Sequence, residues 1–201
     1  MANVDKPRGL QPVRYLNGTP WNGKFTMYYK TGGGAIYKGS LVKHDGSGSA
    51  DMKTPGCAIA GAGDTAIGVA IAFANTRYLA AYTTNLEKVY APASASMYVA
   101  VVDDPNVIFE VQEDNTGPDY IAAADIGQFV PIVNNSTGST TTGYSSGEID
   151  SSGPTSNAAS ATLQILGAVD REDNEIGSSA AYGKWLVRIV DHHFKSVTTA
   201  A

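Results

Sequence analysis

The stretch MYVAVVDDPNVIFEV, residues 97–111, decides the architecture. It holds two short apolar runs, MYVAVV (97–102) and VIFEV (107–111), on either side of the turn signal Asp103-Asp104-Pro105-Asn106, with Pro105 preset for the second turn position. Each run has the length and the β-branched content of a buried strand. Neither has the 3.6-residue spacing of an amphipathic helix. The same grammar recurs on both sides. KFTMYYK (24–30), AIYKGSLVK (35–43), TAIGVAIAF (65–73), QFVPIV (128–133), ATLQILGAV (161–169) and KWLVRIV (184–190) all read as strands bounded by turn residues. Eight or nine short strands without a repeat period predict a single all-β domain, a β-barrel or β-sandwich.

Composition agrees. In 201 residues there are 22 Gly, 9 Pro and 11 Tyr, and only 16% of the chain is charged. No apolar run approaches the roughly 18 residues of a spanning helix, so no membrane partner is expected. The opening MANVDKPRGLQPVRYL lacks the apolar run of a secretory signal, and synthesis in the cytoplasm is expected. A single cysteine, Cys57, excludes an internal disulfide and reads as a small buried hydrophobe.

Three segments fall outside the strand pattern. Residues 1–23 contain Pro7, Pro12 and Pro20 with Gly9, Gly18 and Gly23, which prevents a helix or an uninterrupted central strand and predicts an extended N-terminal arm. Its Val13, Tyr15, Leu16 and Trp21 need an apolar support, which places the arm against a neighbouring chain. The body is then 24–201. Residues 134–160 are Ser, Thr, Gly and Asn rich and predict a long exposed polar loop. Residues 74–87 read equally as one short helix or a long loop. IAAADIG (121–127) reads as one helical turn closed by Gly127. TGGG joins 24–30 to 35–43 as a hairpin, and HDGSGSAD (44–51) reads as a loop.

Charge is unevenly placed. The net charge is −5, yet residues 1–45 carry Lys6, Arg8, Arg14, Lys24, Lys30, Lys38 and Lys43 against Asp5 and Asp45, a local +5 beside a remainder of −10. The acidic total argues against a nucleic-acid partner. A basic leader fits an acidic neighbour, or else a solvated tail.

Sequence matches to catalytic motifs lack their scaffolds. GAGDTA (61–66) fits the dinucleotide pattern G-x-G-x-x-A, but a glycine-containing strand follows where the phosphate-binding helix belongs, so a plain turn is expected. GYSSG (143–147) fits the nucleophile-elbow pattern, but it lies in the polar segment without a preceding strand, which disfavours a hydrolase of Ser145, Asp191 and His192 or His193. His192 and His193 are adjacent and would point to opposite faces, so they read as a satisfied surface pair. His44 is the only other histidine. The acidic groups Asp103-Asp104, Glu113-Asp114 and Asp170 to Glu175 lack calcium-loop spacing and read as solvated turns. Tyr15, Trp21, Phe25, Tyr28, Tyr29 and Tyr37, interleaved with basic residues, suggest a stacking platform, though packing explains them better. No catalytic residue, cofactor or metal is expected.

Four blocks carry a resemblance: PRGLQPVRYLNGTPWNG, VVDDPNVIFEVQED, AAADIGQFVPIV, and REDNEIG with GKWLVRIVDHHF. Together they resemble head decoration, or cement, proteins of tailed bacteriophages. The resemblance implies a non-enzymatic virion protein on the capsid exterior, bound to the major capsid protein where its subunits meet. It implies a homo-oligomer, with a trimer favoured over a dimer. The arm residues Arg8, Arg14, Tyr15, Leu16 and Trp21 are the expected capsid or subunit interface. A host-recognition or carbohydrate-binding β-domain of a tail or fibre is the alternative from another class.

Overall fold

The computed structural model describes residues 3–75, 88–115, 120–157, 161–177 and 181–195. The chain is all-β and builds two layers. Strands β2 (Thr26–Lys30), β3 (Leu41–Gly48), β4 (Pro55–Ile59), β5 (Gly68–Ala74) and β6 (Met97–Val102) close into a barrel in the order β2-β4-β3-β5-β6. A second, antiparallel sheet runs β1-β7-β12-β11-β8, from β1 (Gln11–Tyr15), β7 (Val107–Gln112), β12 (Lys184–Ile189), β11 (Leu163–Ala168) and β8 (Phe129–Val130). Strands β9 (Ile132–Val133) and β10 (Glu148–Ile149) form a small ribbon.

The 97–111 stretch links the layers. β6 belongs to the barrel and β7 to the sheet, and the turn between them closes with Val107 N donating to Asp104 O at 3.2 Å and Asn106 N to Asp104 Oδ1 at 2.9 Å. Side chains of period two then sort into two cores. Met97, Val99 and Val101 point into the barrel with Tyr28, Val42, Cys57, Ile67 and Phe73. Val102 on β6 joins Phe109, Val111, Leu163, Ile165, Trp185 and Val187 in the core between barrel and sheet. Gly68 permits a close approach of β5 to β6, because a Cβ there would lie 2.1 Å from Val102 O.

Several expectations need correction. β2 does not pair with the segment after TGGG; its neighbours are β6 along its whole length and β4 at Tyr29↔Gly56. Alternation sets which side chains are buried, whereas barrel closure sets which strands meet, so the local hairpin lost to long-range partners. The expected loop 44–51 is largely strand, since β3 runs to Gly48 with an irregularity between His44 and Gly48. QFVPIV is split by Pro131 into β8 and β9. The 121–127 turn is present, as a single 3-10 turn at Ala123–Asp125 followed by Gly127 at φ +90°. The ambiguous segment 74–87 lies mostly outside the described residues.

The polar segment 134–160 is not simply an exposed loop. Gly143, Ser145, Gly147, Glu148, Ile149 and Ser151 are buried. Asn135 explains how a polar chain enters the interior at low cost: its side chain accepts from Leu41 N at 2.8 Å and donates to Leu41 O at 2.9 Å and Ala60 O at 2.8 Å. Ile149 then completes the inter-layer core.

Candidate interaction surface along the N-terminal leader

The leader is extended, as its prolines require, and much of its apolar support belongs to the chain's own sheet. β1 pairs with β7 as an edge strand, where Pro12 costs no interior ladder bond, and the register is irregular between Pro12 and Arg14. Residues 16–20 turn back, with Arg14 bridging to Pro20 and Trp21 N donating to Val13 O at 3.0 Å, so the outer edge of β1 is covered. Leu10 is fully buried, and Tyr15 and Trp21 pack against the inter-layer core. Further out, Asn3 clamps the leader to the 175–181 region through Glu175 N, Glu175 O and Ala181 O.

The five leader residues singled out from sequence divide by environment. Arg8, Arg14 and Leu16 are exposed, whereas Tyr15 and Trp21 are half-buried. Tyr15 donates its hydroxyl to Asn22 Oδ1 at 2.8 Å. Trp21 lines a cleft of about 350 Å³ together with Gln11, Pro12, Lys38, Ile71 and Tyr144. Arg8 approaches the same cleft through Tyr144, whose ring lies 5.4 Å from the guanidinium carbon of Arg8 and 4.8 Å from Lys38 Nζ. Two cations thus share one aromatic ring. The Trp21 Nε1 atom is buried without a hydrogen-bond partner among the described residues. Lys38, Tyr144 and Ile71 come from three distant segments, and sequence reading missed them; the signal for Tyr144 was that it is the lone aromatic of residues 134–160.

A second cleft, about 500 Å³, shares Gln11 with the first and is lined by Lys6, Arg8, Glu110, Arg171, Asp173 and Lys184 among others. Its charges are largely matched. Arg171 makes a forked pair with Glu110 at 2.8 and 3.1 Å, and Asp173 accepts from Arg171 and Lys184 at 3.3 and 3.4 Å. These cations hold the Asp173 carboxyl below its ordinary range, Lys184 first. By contrast, among the described residues no carboxylate lines the Trp21 cleft.

Below the leader, Gln112 is a junction. Its Oε1 accepts from Lys6 N at 3.2 Å, and its Nε2 donates to Asp5 Oδ1 at 3.2 Å and Glu148 Oε1 at 3.0 Å. Burial pushes the Glu148 carboxyl up to about 7, against the Gln112 bond that lowers it, with Asp5 and Asp114 adding like charge. Glu113, 2% exposed, is likewise raised by burial, while Ile121 N and Gly183 N each donate to it at 3.1 Å and pull the other way.

The other motif residues have structural surroundings. Gly61–Asp64 is a turn in which Asp64 Oδ2 accepts from Gly61 N and pairs with Lys43, both at 2.7 Å. Ser145 is buried and its Oγ accepts from Gly147 N at 2.9 Å. Of the histidine pair, His193 is exposed as expected, whereas His192 is only 3% exposed, because residues 191–193 bridge to Ala66 and carry its ring inward. Its Nδ1 accepts from Phe194 N at 3.1 Å, and burial holds its pKa below the usual imidazole value. His193 turns instead toward His44, ring centroids 4.5 Å apart. Cys57 is buried, and burial pushes its thiol up to about 12. Among the described residues no group of three His, Cys, Asp or Glu side chains converges as a metal site, and no helix is long and apolar enough to cross a membrane.

Comparison with protein-family profiles, with curated proteins and with solved structures returns no match.

Proposed function

We infer that the chain is a non-enzymatic structural protein of a phage virion, bound to the outside of an icosahedral head where major capsid subunits meet. The observation that carries this reading is the surface character of the leader. Val4, Val13, Leu16 and Phe25 are large exposed apolar side chains within residues 4–25, interspersed with exposed Arg8 and Arg14, and all are held on a folded body. Apolar and cationic groups fixed together on a rigid edge suit a protein interface, because little ordering entropy remains to be lost on binding. The block resemblance supplies the identity of the partner, the major capsid protein, and of the oligomer, a trimer in preference to a dimer. A ligand that binds only the assembled lattice stabilises it by mass action, and many copies act together.

Purified protein mixed with undecorated heads and imaged after sedimentation tests the reading. Saturable decoration is expected, weakened at least tenfold by Arg14→Gln combined with Leu16→Ser, two exposed changes that leave the sheet intact. Heads that stay bare at saturating protein would overturn it, and binding to host glycans in their place would favour a tail or fibre domain.

A further inference from the structure

We propose that the cleft between the leader and the barrel, lined by Gln11, Pro12, Trp21, Lys38, Ile71 and Tyr144, is a binding site for an acidic peptide segment carrying an apolar side chain between its carboxylates. The inference extends the interface reading above by naming the chemistry of the partner at one point of it.

The lining divides into two kinds of group. Pro12, Ile71 and the faces of Trp21 and Tyr144 offer an apolar floor, and a volume of about 350 Å³ accommodates a leucine-sized side chain with part of its backbone. Beside that floor stand two cations, while the Nε2 of Gln11 is held by Arg8 O and Leu10 O. Lys38 Nζ and the Arg8 guanidinium both stand over the Tyr144 ring, and neither has an ion-pair partner among the described residues. Two unpaired cations beside apolar walls therefore select an anion with an apolar neighbour. Charge elsewhere supports the same choice: Arg171 and Lys184 in the adjoining cleft already have carboxylate partners, whereas the Trp21 cleft has none among the described residues.

The position also fits a peptide. Gln11 and Pro12 belong to the edge strand β1, so a segment entering the cleft lies beside backbone that is already ordered. Lys38 and Tyr144 are themselves fixed, because Lys38 N donates to Gly143 O and Ser145 N donates to Lys38 O, both at 2.8 Å. The site is thus assembled before any ligand arrives.

The chain has two tryptophans, so two indole N–H signals report on the free protein by 15N NMR. Titration with the C-terminally amidated tripeptide acetyl-Glu-Leu-Glu-NH2 is expected to shift the Trp21 signal saturably and leave that of the buried Trp185 unmoved. The neutral twin acetyl-Gln-Leu-Gln-NH2 should need at least tenfold more peptide, and raising salt should weaken the acidic peptide. Lys38→Gln should weaken it at least fivefold with the free-protein spectrum retained; should that spectrum change, Arg8→Gln carries the same test. An unmoved Trp21 signal, or equal shifts from the acidic and neutral peptides, would overturn the proposal. A shift by glucuronate at lower concentration than by the peptide would overturn it in favour of an acidic sugar. Because the free protein is titrated, either outcome is independent of whether heads are decorated.

Discussion

Gly9 and Gly39 cross backbone to backbone: a Cβ on Gly9 would stand 2.4 Å from Gly39 O, and one on Gly39 would stand 2.2 Å from Arg8 O. Both have positive φ, +67° and +88°, and Leu10 N donates to Gly39 O at 2.9 Å beside them. This contact seats the leader on the barrel and brings Arg8 and Lys38 to the same ring.

Gly9→Ala should accordingly destabilise the protein by about 2 kcal/mol or more, from left-handed strain and the clash together. Urea denaturation measures the loss, and limited trypsin digestion should cut faster after Arg8 and Arg14. Unchanged stability would show that the crossing relaxes freely.

Glu148 makes stability depend on pH in the alkaline direction. Its folded pKa of about 7 lies above the ordinary 4.5, so its contribution is full below pH 4.5 and is lost as pH rises through 7. The difference corresponds to about 3 kcal/mol at most. Glu148→Gln should flatten the decline in urea stability between pH 5 and 9; the same slope in the variant would place the titration elsewhere.

His192 acts in the opposite direction. Burial lowers its folded pKa, chiefly by desolvation and against the nearby Asp103, Asp104 and Asp191, with His193 adding to the lowering. The unfolded chain therefore takes up a proton first, and stability present above pH 6.5 falls as pH drops below it. His192→Phe should make the acid limb shallower, read from thermal melts between pH 7 and 5.

The polar segment should tolerate change only where it is exposed. Ile149→Ala should cost about 2–4 kcal/mol, the ordinary range for emptying a buried site of this size. Gly143→Ala should also destabilise, since its φ is +75° and a Cβ would lie 2.1 Å from Val89 O. Replacing the exposed residues 139–142 by Gly-Ser repeats should leave the melting temperature nearly unchanged. Removing residues 138–156 outright should prevent folding.

The strands were legible because period-two burial and turn chemistry are local. MYVAVV is a strand over residues 97–102 as expected, and VIFEV and KWLVRIV differ from their strands by one residue at an end. The edge placement of β1 was half legible, since Pro12 excludes a central strand but does not say which sheet receives it. The cleft was not legible beyond Arg8 and Trp21, because Lys38, Ile71 and Tyr144 meet only through the fold.

Sequence by itself therefore determined the class of structure and the faces of its strands: side-chain alternation, proline and glycine act within a few residues and need no partner. Tertiary structure decided which strands are neighbours, which polar residues are buried and which cations share a ring. Those depend on closing a barrel and packing a sheet against it. The energy of a buried Glu148 or Ile149 comes from groups tens of residues away, and no local pattern encodes their arrival.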